Sequence, residues 1–196
     1  MSQRSIDDFR AVLSGGGIRN SMYEVWVTFP DRTVQNTRLT TSRAMMLAKS
    51  AAIPASTLTQ TPVNIIGGGT LKIAGTRTID NWSATFISDN SMQLRDAFEN
   101  WQYDIVNNES WQKEFEIRNY LRDIQVIQLE RDGSHVRNYV LHGCFPLTVS
   151  EIALSYDDTE SVQEFSVDFS VSHVSIEDET NMGAKSDMQF DTSKYR

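Results

Sequence analysis

The chain holds a single cysteine, Cys144, and only four prolines in 196 residues. One thiol cannot form an intrachain disulfide, which excludes a disulfide-stapled secreted scaffold. Such staples are not required, because a chain of this length can bury roughly 70% of its unfolded surface in one core. Long apolar runs are missing too, and no window approaches the ~20 apolar residues of a membrane span. The first residues, Met1-Ser2-Gln3-Arg4-Ser5-Ile6-Asp7-Asp8, place acids where a signal peptide would carry its apolar stretch, and predict a soluble product made in the cytoplasm. Basic charge is scarce: 18 Lys+Arg stand against 26 Asp+Glu, a net charge of -8. A surface that grips nucleic-acid phosphates works by clustering Lys and Arg, so this balance argues against it.

Catalytic and metal-binding signatures are equally scarce. There is no G-x-S-x-G elbow for a serine hydrolase, and no Cys-x-x-Cys or His-Glu-x-x-His for zinc. Gly67-Gly68-Gly69-Thr70-Leu71-Lys72 lacks the spacing of a phosphate loop and does not lead into a helix, so a hairpin tip is the better reading. His142 and Cys144 flank Gly143, but two ligand types one residue apart do not close a zinc shell; a strand end with a buried thiol is expected. Asp157, Asp158 and Glu160 lack the spacing of a calcium loop and read as an acidic turn. No cofactor and no enzymatic activity are expected.

What the chain has in abundance is hydroxyl groups, with 21 Ser and 16 Thr, together about twice the Lys and Arg. Mixed with short runs of Val, Ile, Phe, Tyr and Trp, they favour strands with one solvated face. Residues 5–13 predict a short helix with Ile6, Phe9, Val12 and Leu13 on one stripe, stopped by Gly15-Gly16-Gly17. Met22 to Phe29 alternates as a strand. Ala44 to Ala52 has helical composition and must end before Pro54. Ser56 to Gly69 predicts an exposed hairpin or arm with a flexible glycine tip, continued by Thr70 to Ala74 and broken or bulged at Gly75. Trp82 to Ile87 is a further strand.

The clearest helix spans about 90–105, with Ser88-Asp89-Asn90 as candidate caps and Leu94, Phe98, Trp101 and Ile105 along one face. Arg95 and Glu99 sit on the other side, as do Gln93 and Ala97. A hairpin is predicted from Asp123 to His142 around Asp132-Gly133. Glu151 to Tyr156 and Ser161 to Val174 follow as strands joined at Asp157-Asp158-Thr159-Glu160. In the last of these, Phe165, Val167, Phe169 and Val171 alternate with Glu164, Ser166, Asp168, Ser170 and Ser172. From Glu177 the chain is polar and reads as a tail.

Several segments resemble, in order and spacing, the tail-tube proteins of T4-type contractile bacteriophages. They are Ala52-Ile53-Pro54-Ala55, Lys72-Ile73-Ala74-Gly75-Thr76-Arg77-Thr78-Ile79-Asp80-Asn81-Trp82, Asp89-Asn90 and Ala97-Phe98-Glu99-Asn100-Trp101-Gln102. Gly143-Cys144-Phe145-Pro146, Glu151-Ile152, Ser155-Tyr156-Asp157 and Glu164-Phe165-Ser166-Val167 fit the same family, so the likeness runs over roughly residues 20 to 175. The chain departs from the pattern at Ile79, where a Phe is expected, in the triplet 67–69 and in a longer C-terminal tail.

The resemblance implies a mainly β fold with one α-helix: two packed antiparallel sheets forming a barrel-like sandwich. It divides the chain into a tail-tube domain over 1–176, with an N-terminal segment 1–20, an arm about 56–76 and a helix about 90–105, and a polar tail over 177–196. It implies a structural virion protein of hexameric rings stacked into the inner tail tube, assembled in the host cytoplasm. Its partners would be further copies of itself, the tail sheath protein, baseplate and tail-terminator proteins, and double-stranded DNA passing through the lumen without specific binding. On this reading Glu164, Ser166, Asp168 and Ser170 are candidates to line the lumen. Thr61, Asn64, Gly67, Gly68, Gly69 and Lys72 are candidates for an arm between rings or subunits, and Arg95, Asp96 and Glu99 for a sheath-facing helix surface. The alternatives are a type VI secretion or pyocin-like tube protein, a baseplate tube-initiator protein, and a monomeric β-barrel that binds a small ligand.

Overall fold

Phe98 is the centre of the structure, a computed structural model that describes residues 6–13, 16–31, 33–34, 37–106, 116–156 and 162–177. Its ring lies 5.0 Å from Phe29, 5.2 Å from Phe86, 5.8 Å from Phe169 and 6.2 Å from Phe165. Phe98 sits on helix α3 (Gln93–Ile105), and Leu94, Ala97, Phe98 and Trp101 all face inward. Ala97 therefore belongs to the core face, which the one-sided reading of the helix misplaced. Trp101 brings an indole N–H into this apolar site and satisfies it on the Tyr120 carbonyl at 2.9 Å.

The elements follow as α1 (Ile6–Val12), β1 (Tyr23–Val27), α2 (Thr37–Leu47), β2 (Ala48–Ala51), β3 (Ser56–Ile65), β4 (Gly69–Ile79), β5 (Trp82–Ile87) and α3. After these come α4 (Ile117–Tyr120), β6 (Arg122–Leu129), β7 (His135–Val149), β8 (Glu164–Ser170) and β9 (His173–Glu177). The strands pair antiparallel in the order β1-β6-β7-β8-β5-β2, with β9 also on β7, while β3 and β4 form a separate hairpin.

Strand β7 joins two half-sheets. Its first part pairs with β6 and β9, and from Phe145 onward it pairs with β8. Gly143 stands at the change of partner with φ 63, and a Cβ there would meet the Ser172 hydroxyl at 2.7 Å. Only glycine takes that backbone and that close approach without strain. Both half-sheets contribute to a single core cluster, Val25, Ile124 and Leu141 from one and Ala84, Phe86 and Val167 from the other.

The expected mainly β fold with two antiparallel sheets is found, but among the described residues no barrel closes by ladder hydrogen bonds. The two ends of the strand path do meet, but through a side chain: the Tyr23 hydroxyl donates to the Lys49 carbonyl at 2.6 Å. The described residues also hold four helical segments where the resemblance implies one, with α1 in the stretch 5–13 that the residue pattern predicts as a helix.

Three local expectations change for identifiable reasons. The helix read at Ala44 to Ala52 begins instead at Thr37, in a Thr- and Ser-rich stretch of weak helix propensity. Tertiary bonds hold it, with the Thr41 hydroxyl on the Val27 carbonyl at 2.9 Å and Arg43 on Asp89 at 3.3 Å. The Ala-Lys-Ser-Ala that follows becomes β2, because pairing with β5 overrides its composition. Helix α3 starts after Met92, in a left-handed conformation with φ 54, and not at Ser88-Asp89-Asn90; the Asp89 carboxylate is engaged by Ser91 and Arg43.

Residues 151–155 form no regular strand. The last predicted strand breaks at 171–172, and Glu177, read as the start of the tail, is the final residue of β9. The turn at Asp157-Asp158-Thr159-Glu160, Gly15 and the tail beyond Glu177 lie outside the described residues.

Candidate functional site

Strand β8 separates two chemistries by alternation. Phe165, Val167 and Phe169 are buried under α3, while Glu164, Ser166, Asp168 and Ser170 are half-buried on the opposite face. The pairing register extends that polar face sideways: Ser166 lies opposite Thr85, Asp168 opposite Ser83 on one side and Thr148 on the other, and Ser50 opposite Thr85. The Thr85 and Ser166 hydroxyls are 3.4 Å apart, and the Ser166 N–H donates to the Ser150 hydroxyl at 2.8 Å. Glu164 meets Lys49 at 2.5 Å, which offsets its charge. The result is a hydroxyl wall around Asp168. The sequence reading found its β8 row and missed Ser50, Ser83, Thr85 and Thr148, although the alternation in Trp82 to Ile87 already places Ser83 and Thr85 on one face.

The solvent side of α3 lies across the sheet from that wall. Asp96 and Glu99 are exposed there. Arg95 is not available in the same way, since its side chain is only 19% exposed. It donates to Glu99 at 2.7 Å and to the Ser150 carbonyl at 3.0 Å, and its guanidinium sits 5.6 Å from the Phe165 ring centre. The structure therefore makes Arg95 a clamp between α3 and the segment after β7.

The β3–β4 hairpin differs from everything else in the chain. All of β3 and nearly all of β4 are exposed. The register puts Thr61 opposite Ile73, Val63 opposite Leu71, Asn64 opposite Thr70 and Pro62 opposite Lys72. By alternation, Val63, Ile65, Leu71 and Ile73 share one face with Thr61, while Asn64 and Lys72 occupy the other. The four apolar side chains are 42–53% exposed, and Ile66 at the tip is fully so. Gly67 and Gly68 make the turn with φ 109 and 90. Farther down, the register shifts past Thr59, whose hydroxyl accepts the Thr76 N–H at 2.9 Å, and a Cβ on Gly75 would meet that hydroxyl at 2.6 Å. The six arm candidates are thus brought onto one hairpin but split between its two faces and its tip. The apolar quartet was missed, because only the register reveals that it is contiguous.

A fourth feature had no sequence signal, since its residues come from three strands. His142 bonds Asp123 at 2.9 Å through Nδ1 and the Ser175 hydroxyl at 2.8 Å through Nε2, and its ring stacks on His173 at 4.4 Å. The Gly143 N–H donates to the other Asp123 oxygen at 3.0 Å. This chain of bonds ties β6, β7 and β9 together. Burial alone would raise the Asp123 pKa, but the bonds from His142 and Gly143 and the nearby imidazoles outweigh it and hold the carboxyl below its usual 3.8. Cys144, on the inner side of the same strand, is fully buried and its thiol is pushed up to about 12, first by burial and then by the Asp123 charge. The thiol is buried, as expected, but it lies inside β7 and not at a strand end. Among the described residues no group of three or more His, Cys, Asp or Glu is placed to hold a metal ion, and no helix is long and apolar enough to cross a membrane.

Comparison with known proteins places these surfaces in context. Residues 18–177 match the family described as phage tail tube protein. The tail tube protein gp19 of Enterobacteria phage T4 is 24% identical over 164 residues, which cover 83% of this chain and 94% of the T4 protein. The gp19 of Enterobacteria phage T6 matches with the same identity and coverage. In fold, the chain is similar to a tube-terminating cap of the anti-feeding prophage, with a TM-score of 0.61 at 14% identity over 82% of this chain and 91% of the cap. It is also similar to a sheath/tube terminator of the PVC extracellular contractile injection system, with a TM-score of 0.59 at 13% identity over 83% of this chain and 97% of the terminator.

Proposed function

The chain belongs to the phage tail tube protein family and is a tail tube protein of contractile, phage-like systems; from that premise we propose that its copies form hexameric rings that stack into a hollow inner tube, the conduit for genome ejection. The observation that carries this reading is the β3–β4 hairpin. An extended hairpin with an apolar face in water is of marginal stability alone and a liability for aggregation. Seated on an adjacent ring or subunit, the same face is buried. Because the hairpin and its receptor surface are different patches, the contact is heterologous and propagates along an axis.

The opposed faces of the sheet give the tube its inside and outside. The hydroxyl wall of Ser166, Asp168 and Ser170, with Glu164 offset by Lys49, is the lumen surface. It presents few cations to the one charge per ~1.7 Å of a DNA duplex, so DNA slides past without being held. Helix α3 then faces outward, and Asp96 and Glu99 touch the tail sheath protein through exposed polar contacts, which are individually weak and so release during contraction. Arg95 supports that surface from beneath. Baseplate and tail-terminator proteins close the two ends of the tube, and assembly takes place in the host cytoplasm.

Two experiments test the reading. Deleting Gly67, Gly68 and Gly69 should leave a folded monomer that grows short tubes or none by negative-stain electron microscopy; tubes of unchanged length would count against the hairpin. Replacing Asp168→Lys should slow genome ejection from otherwise normal particles. If residue 168 instead maps to the tube exterior, the lumen assignment fails.

A further inference from the structure

Lys49 is out of place on a wall built of hydroxyls. The strands that carry the wall are β2, β5, β8 and β7 from Phe145, and across them the only Lys or Arg is Lys49, against the two acids Glu164 and Asp168. The Lys49 ammonium reaches past β5 to Glu164 of β8 at 2.5 Å, its one carboxylate partner among the described residues. The two side chains are 52% and 35% exposed. A pair so open to water contributes little to stability. Strand β2 has other ties as well, its ladder with β5 and the Tyr23 hydroxyl on the Lys49 carbonyl at 2.6 Å. The pair is therefore not what holds β2; its consequence is the field above the wall.

The two acids of the wall have different effects. Removing either carboxylate changes the charge of the wall by the same amount, but only the loss of Glu164 leaves an ammonium without a counter-charge. A duplex is held when Lys or Arg groups displace its condensed counterions, and affinity grows with the number of such contacts. A ring repeats Lys49 in every copy, so one contact per copy is multiplied around the lumen and along the tube. We propose that Glu164 determines whether the wall conducts a DNA duplex or holds it, by keeping Lys49 engaged and so withholding the wall's one cation from the phosphates. Asp168 adds only general repulsion. This rests on the reading of the chain as a tube subunit whose β8 polar face lines the lumen.

The test polymerises the full-length chain in the presence of a short fluorescent DNA duplex, as wild type, Glu164→Gln, Glu164→Ala, Asp168→Asn and the double variant Lys49→Met with Glu164→Gln. Tubes are imaged, freed of unbound DNA, treated with nuclease and assayed for DNA that remains. Glu164→Gln keeps an oxygen that accepts from Lys49 while removing the charge; Glu164→Ala removes both. Each should hold about tenfold more nuclease-protected DNA than the wild type at low salt and release it as salt rises. Asp168→Asn and the double variant should stay within about twofold of the wild type. Equal retention by the Glu164 and Asp168 variants, no added retention by either, or retention that survives the loss of Lys49 would overturn the role of Glu164 while leaving the tube reading intact. So would the loss of tubes in both Glu164 variants, which would make the pair an assembly contact. DNA that is retained but fully digested would put the face on the tube exterior and overturn the lumen reading together with the proposal. If the wild-type chain forms no tubes at all, the tube reading fails and the proposal fails with it.

Discussion

The sheet body and the β3–β4 hairpin are built from similar residues and meet opposite fates. In the body, Phe29, Phe86, Phe165 and Phe169 are sealed from water and packed against Phe98 of α3. In the hairpin, Val63, Ile65, Leu71 and Ile73 alternate just as regularly, yet among the described residues nothing covers their face. The difference teaches that apolar alternation predicts a face to be covered without saying which molecule covers it. The body completes its core within one chain, whereas the hairpin is suited to be completed by another copy.

This contrast is open to attack, first at its strongest point. Phe98→Ala should cost about 3–5 kcal/mol in urea unfolding, because four aromatic neighbours lose their common contact. Leu71→Ser should change the same measurement by less than about 0.5 kcal/mol and abolish or shorten polymers. A hairpin variant that unfolds the body would remove the distinction.

Gly143→Ala should cost about 1–3 kcal/mol, since φ 63 and the Ser172 hydroxyl at 2.7 Å both oppose a side chain at the point where β7 changes partner. Gly69→Ala, in open space at the hairpin tip, should be close to neutral in stability. Thiol labelling reads the same contrast chemically. At pH 8, Cys144, pushed to about 12, should react on the order of a thousandfold more slowly than a cysteine placed at Leu71. Comparable rates would mean that the body opens readily.

The smallest effect concerns pH. The Asp123 pKa is depressed in the folded chain, so its bonds to His142 and Gly143 contribute stability above the unfolded value of 3.8. That contribution is lost as pH falls through the lower folded value. Asp123→Asn should therefore flatten the acid limb of thermal stability below about pH 4 and leave the hairpin unaffected. An unchanged acid limb would show that the link among β6, β7 and β9 contributes little.

Legibility in the sequence divides along local and non-local lines. Trp82 to Ile87, the stripe Leu94–Phe98–Trp101 and the alternation in β8 were readable because each signal lies within one element. The start of α2 and the whole of β2 were not, since Thr41, Arg43 and the pairing with β5 decide them from a distance. Arg95 looked like a surface charge because its bond to the Ser150 carbonyl spans 55 residues. The hairpin was legible as an exposed arm, but its apolar face emerged only from the register that follows the shift at Thr59. The His142–Asp123–Ser175 chain, built across three strands, left no pattern at all.

The central claim is that a folded body presents a hairpin whose face another copy covers, so that rings stack. Negative-stain electron microscopy of the purified full-length chain tests it most directly. The account predicts sixfold rings that stack into tubes for the wild type, and folded monomers that fail to stack for Leu71→Ser. A wild-type chain that stays a folded monomer at high concentration, or a Leu71→Ser chain that forms tubes as long as the wild type's, would contradict it.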